Sequence, residues 1–178
     1  IVAYTGRPEL GCPRLLADEW VVPTPITVPV AVGISAAGSH IFGLEELARA
    51  RFGIVNLHLA PLPEYRGRYS ATHALLNRAR RFGVTLHYVD EGIDTGPIIA
   101  EHRFAIGARD DAGSLRARAL VAGKIMLKVM IPRLLAAAAQ EQRLPSAPQD
   151  ETRAHYYSRH SLPAPDPNNP PLVRALSC

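Results

Sequence analysis

Three residues in the middle of the chain have types and spacing suited to acyl chemistry without a protein nucleophile. Asn56 and His58 stand two apart in Gly53-Ile54-Val55-Asn56-Leu57-His58. Asp94 follows in Asp90-Glu91-Gly92-Ile93-Asp94-Thr95-Gly96-Pro97. The amide offers an uncharged N–H donor, and the imidazole offers a donor that adds charge when protonated. The carboxylate would orient the imidazole and favour its charged form. This set suits passage of an acyl group to an incoming amine, because charge develops on the acyl oxygen and each donor aimed there is typically worth ~3–4 kcal/mol. Asp94 could also accept a proton from the amine, directly or through one water. The amine is then the nucleophile, so neither Cys12 nor Cys178 is required.

The elements that must position these groups are readable locally. Residues 53–58 are apolar and β-branched, which predicts a short buried strand. Side chains alternate along a strand, so Asn56 and His58 share one face while Val55 and Leu57 share the other. Pro61 and Pro63 donate no ladder hydrogen bonds, so the strand should stop near Leu59. A second strand is expected over 84–89, and a helix over 69–81 between the two, with Ala74, Leu75 and Ala79 on one side. Strand, helix, strand implies a parallel crossover with both carboxyl ends on one edge. That edge is where open α/β sheets bind ligands. Loop 92–97 should then approach Asn56 and His58, with Ile93, His40 and Ile41 lining the pocket. Gly92 and Gly96 let the backbone approach a ligand closely.

Taken singly, each polar residue has a plain structural role: a strand-end amide, a core histidine, a turn aspartate. Their joint spacing makes chemistry the better reading. His73, His87 and His102 show no metal-ligand spacing with Cys or carboxylates, so no metal is expected, and His87 on its strand is read as structural. Glycine patterns for dinucleotides or nucleoside triphosphates are absent. The apolar residues between Ala119 and Met130 recur at helical spacing and are read as core packing.

These segments together resemble the folate-dependent formyltransferases. The family pattern is Asn-x-His, then Leu-Pro-x-(Tyr/Trp)-Arg-Gly, then Gly-x-Thr-x-His, then Asp-x-Gly-x-Asp-x-Gly. Here these are Asn56 and His58; Leu62-Pro63-Glu64-Tyr65-Arg66-Gly67; Gly83, Thr85 and His87; and Asp90, Gly92, Asp94 and Gly96. Where the family usually has Ser-Leu-Leu-Pro, this chain has Ala60-Pro61-Leu62-Pro63, a departure that bears on the acceptor pocket. Residues 114–135 resemble the long helix after the catalytic loop, with Ser114 or Asp111 as its cap and Pro132 kinking it or ending its regular part. Pro148-Gln149-Asp150-Glu151 and Tyr156-Tyr157 resemble the segment beyond that helix in tRNA and sugar formyltransferases. Ile1-Val2-Ala3-Tyr4 resembles the opening strand. Between Trp20 and Pro29 the likeness fails: the family normally has two more strands and a helix there. The resemblance implies catalytic roles for Asn56, His58 and Asp94, and folate contacts from His40, Ile41, Asp90, Gly92 and Ile93. It implies 10-formyltetrahydrofolate as formyl donor and no metal.

The fold expected is α/β and Rossmann-like, a mostly parallel sheet flanked by helices and shortened in its N-terminal half. Residues 1–160 would form the catalytic domain. Residues 161–178, with five prolines between Pro163 and Pro171, would be an extended or disordered tail. A chain of 178 residues with 47% hydrophobic residues can bury a core. Two cysteines make no disulfide framework, no stretch reaches a membrane span, and no signal-peptide layout opens the chain, so a reducing, cytoplasmic setting is expected. The net charge is only +4. Arg78, Arg80 and Arg81 read as a solvated helix end rather than a nucleic-acid surface.

The resemblance specifies the donor better than the acceptor. An amine on a small molecule such as an amino sugar is the first choice. With Cys178 as the last residue, the additional domain of the tRNA enzymes is not expected, and Tyr156-Tyr157 leans away from the glycinamide ribonucleotide enzyme. Methionyl-tRNA and glycinamide ribonucleotide formyltransferases are the alternatives, and a non-catalytic folate- or partner-binding remnant is the rival from another class. Neither membrane nor nucleic acid is an expected partner, and a homodimer is left open.

Overall fold

Strand β3 begins where expected and stops where the prolines require. In the computed structural model, which describes residues 2–6, 25–38, 40–158 and 160–162, the main sheet has the order β1-β2-β3-β5-β6. The elements in chain order are β1 (Val2–Gly6), β2 (Val32–Ala36), α1 (Leu44–Arg49), β3 (Ile54–His58), β4 (Arg66–Gly67), α2 (Ser70–Leu76), β5 (Arg81–Tyr88), β6 (Ile98–Ala105), α3 (Ala112–Ala139) and β7 (Tyr156–Tyr157). A single 3-10 turn, Glu151–Arg153, precedes β7. The proline-rich stretch after Trp20 up to Thr24, both cysteines and residues 163–178 lie outside the described residues.

The α/β architecture is the expected one, a Rossmann-like sheet with helices against it, but one connection is corrected. β1, β2 and β3 are mutually parallel. β3 and β5 are antiparallel, as are β5 and β6, so the sheet is mixed and no parallel crossover joins β3 to β5. The expected 69–81 helix is only Ser70–Leu76, after which Arg78 turns the chain at φ 51°. The turn that follows β3 is bonded to Thr85 of β5 through Ala60 O and Leu62 N, which keeps the connection at the carboxyl end of β3. The chain re-enters the sheet at the end it left, with Thr85 opposite His58 and Tyr88 opposite Val55. Arg78 and Arg80 occupy this turn and Arg81 opens β5, so they do not form a helix end.

Alternation assigns the two faces. Val55, Leu57, Val84, Leu86 and Tyr88 pack in the main core with Leu115, Ala119, Leu127, Met130 and Leu134 of α3. Each such aliphatic side chain contributes ~1.5–3 kcal/mol when fully buried. Gly123 lets α3 lie close, since a Cβ there would meet Leu57 Cδ2 at 2.7 Å. Ile54, on the opposite face, packs with Ile26, Val30, Phe42 and Ala50 around α1. α3 starts at the Asp111 cap, whose carboxylate accepts from Ser114 N at 2.7 Å. The helix continues through Pro132 to Ala139 rather than ending there. Among the described residues no helix is long and apolar enough to cross a membrane.

Candidate active site

The antiparallel register builds a block of four polar residues on one sheet face. Asn56 lies opposite His87 and His58 opposite Thr85. Directly opposed residues in a ladder share a face. All four therefore stand on the face turned away from α3, next to Ser35, which pairs with Asn56 from the other side.

Thr85 and His58 are held by the chain that follows β3, and His87 and Asn56 by β5 itself. Thr85, fully buried, donates its hydroxyl to Ala60 O at 2.8 Å and accepts from Leu62 N at 3.2 Å. This ties down the Ala60-Pro61-Leu62-Pro63 turn directly after the strand. The turn brings Tyr65 O to 2.7 Å from His58 Nε2, so that nitrogen carries the proton and donates. His87 Nδ1 donates to Tyr88 O at 2.8 Å in the same way. Its Nε2 then accepts from Asn56 Nδ2 at 3.2 Å when the ring is neutral. Protonated, that Nε2 would donate instead to Asp94, and the Asn56 amide would have to turn its oxygen inward.

Asp94 reaches this face from the β5–β6 connection. The loop closes through Tyr88 N, which donates to Pro97 O at 2.9 Å. Asp90 braces its interior, accepting from Gly92 N at 3.2 Å and Thr95 Oγ1 at 2.5 Å. At Gly96 a Cβ would lie 1.9 Å from Tyr88 O, so no larger residue fits without moving the loop. Asp94 itself sits at φ 57°, a left-handed conformation that Asp tolerates better than most residues. Its Oδ2 accepts from Gly67 N at 2.8 Å and lies 3.5 Å from His58 Nδ1. Its Oδ1 lies 3.6 Å from His87 Nε2. Burial alone would raise the Asp94 pKa, but His58, His87 and the Gly67 N–H outweigh it and hold the carboxyl well below the usual range.

The structure therefore brings Asn56, His58 and Asp94 together, although the expected parallel crossover is not what does it. His87, read from the sequence as structural, stands in the same cluster between Asn56 and Asp94. The Gly-x-Thr-x-His spacing carried the signal: Thr85 and His87 share a parity and so a face. Asp90 and Gly92 shape the Asp94 loop, and Ile93 stands 42% exposed on it. His40 has different partners: its Nε2 meets the Glu46 carboxylate at 2.9 Å, and that carboxylate also accepts from Ile26 N and Gly43 N. Ile41 beside it is 73% exposed. Among the described residues no hydrogen bond joins His40 to the Asp94 cluster.

Comparison with known proteins places this arrangement. A curated relative, the methionyl-tRNA formyltransferase of Halorhodospira halophila (strain DSM 244 / SL1), is 41% identical over 95 residues, 53% of this chain. The match spans about a third (31%) of that relative's length. Among solved structures, an N-formyltransferase from Helicobacter canadensis in complex with folinic acid and dTDP-3-aminofucose superposes with a TM-score of 0.77. It covers 91% of this chain and 72% of its own at 21% identity, a likeness of fold. Phosphoribosylglycinamide formyltransferase from Bacillus halodurans gives a TM-score of 0.57 at 30% identity, over 61% of this chain and 56% of that one. The family profile described as formyl transferase matches residues 26–131, from Ile26 in the loop before β2 to Ile131 in the far half of α3. That match takes in more than half of the sequence and every residue of the polar cluster, and the chain belongs to the formyl transferase family.

Proposed function

We propose that this chain transfers a formyl group from 10-formyltetrahydrofolate to an amine on a small molecule, an amino sugar being the first choice. Residues 1–160 form the catalytic unit in this reading. The observation that carries it is the Asp94 carboxylate set 3.5 Å from His58 on the face that also presents Asn56. The Asn56 amide keeps an uncharged N–H that fits a formyl oxygen, and the exposed Ile93 offers apolar surface to a folate ring system. When bound, the folate supplies the electrophilic carbonyl carbon and the acceptor supplies the nitrogen nucleophile.

The chain's own groups divide the remaining work. Asn56 has one N–H on His87 and a second to direct at the oxygen where charge grows. Asp94, held well below the usual carboxylate range, stays anionic at neutral pH. That charge favours the cationic nitrogen formed on attack. It also makes Asp94 a weak base, so its main part is electrostatic and the proton passes to water. Both nitrogens of His58 face protein groups, which holds the ring in one orientation.

Support for a sugar acceptor comes from the fold neighbour solved with dTDP-3-aminofucose. The methionyl-tRNA reading has its own support in the 41% identity to the Halorhodospira halophila enzyme. An acceptor screen with 10-formyltetrahydrofolate, read as release of tetrahydrofolate, separates them. Turnover with nucleotide-linked amino sugars and none with charged initiator tRNA is expected. Efficient formylation of the tRNA, falling steeply with salt as phosphate contacts require, would promote the second reading. No release with any amine would leave the non-catalytic binding role.

A further inference from the structure

The left-handed turn that aims Asp94 is held by a strut from the far end of the sequence. The Arg66 guanidinium, whose side chain is 8% exposed, is bidentate to Glu151 at 3.0 and 2.6 Å. It also donates to Gln149 Oε1 through Nε at 3.1 Å and Nη2 at 2.8 Å. With its oxygen taken by Arg66, the Gln149 amide can only turn its nitrogen the other way. Nε2 donates to Asp94 O and to Gly96 O, both at 2.8 Å. Both N–H bonds of the amide are used, and the peptide units that follow Asp94 and Gly96 are pinned.

The second arm starts from the residue next to Arg66. Gly67 N donates to the Asp94 carboxylate, and Arg66-Gly67 is strand β4, paired in parallel with Tyr156-Tyr157. Arg66, Gln149, Asp94 and Gly67 thus close a ring: one arm holds the Asp94 backbone, the other its side chain. An isolated residue at φ 57° has little local reason to stay there. The ring supplies that reason.

We propose that Gln149, oriented by Arg66, is the positioning residue that holds Asp94 in register with His58 during formyl transfer. This rests on the reading of Asp94 as a working carboxylate. A lysine at 66 could not serve, because a point charge cannot grip Glu151 and Gln149 in one plane.

The test is Gln149→Glu, which keeps the shape and the Arg66 contact but replaces both N–H donors with a carboxylate oxygen facing two carbonyls. Misplacement of this size should lower kcat by ~10²-fold, with the acceptor KM little changed and the melting temperature near that of the unmodified protein. The Gly67 amide, which reports on the Asp94 carboxylate, should exchange its hydrogen roughly tenfold faster as the bond opens, a change of about 1.4 kcal/mol. Unchanged kcat together with unchanged Gly67 exchange would overturn the proposal, as would loss of activity matched by general loss of stability. If Gln149→Glu does not fold, Gln149→Ala carries the same two measurements. If the unmodified protein formylates no amine, the proposed function falls while Gly67 exchange still decides the strut.

Discussion

Asp94 Oδ2 lies 3.5 Å from His58 Nδ1 although β5 ends beside Val55, the wrong end of β3 for such a meeting. Loop 89–97 must fold back over the Asn56 face to deliver it. The antiparallel ladder that displaces the loop also sets His87 opposite Asn56, so the carboxylate arrives between two imidazoles rather than beside one.

Removing either donor from β3 should cost rate without costing the fold. Asn56→Ala should lower kcat by ~10²–10³-fold, the loss expected for one oxyanion donor. His58→Ala should abolish measurable turnover. Both are half-buried at the edge of the core, so circular dichroism should be unchanged. Near-normal rates in two well-folded variants would refute their assignment.

Stability should carry the signature of Asp94 in acid. Its folded pKa lies below its unfolded value, so ionised Asp94 stabilises the fold. That contribution is fully present above the ordinary carboxylate pKa of about 3.9 and is lost as pH falls through the lower folded value. The urea midpoint of Asp94→Asn should therefore trail the unmodified protein by a constant gap at neutral pH, and the gap should close below about pH 4. A gap independent of pH would show that the carboxylate charge contributes nothing.

Thr85→Val should destabilise by about 1–3 kcal/mol, because it keeps the shape but orphans the buried Ala60 O and Leu62 N. Urea unfolding gives the number. Activity should fall further than folding does, since the turn held by Thr85 also places Tyr65 O against His58. Equal stability would mean that water replaces the hydroxyl.

Gly96→Ala should be poorly tolerated for a steric reason. Its Cβ would stand 1.9 Å from Tyr88 O, a backbone atom that cannot yield without opening the β5–β6 ladder. Overpacking of this kind costs about 1–3 kcal/mol. The displaced loop should lower kcat more than it raises KM. A variant with normal kcat and normal melting temperature would contradict the close approach.

Local sequence was enough for the parts that depend on local geometry. The period of two in Ile54-Val55-Asn56-Leu57-His58 puts the amide and imidazole on one face whatever the neighbouring strand does, and Pro61 and Pro63 end the strand by lacking donors. Asp111 and the apolar spacing behind it start α3 in the same local way. Tertiary structure alone decided strand direction, because parallel and antiparallel ladders read out the same alternation. It therefore decided that His87 joins the cluster. It also brought Gln149 to the Asp94 loop, 55 residues away in sequence, where an amide's two donors meet two carbonyls that no local pattern pairs with it.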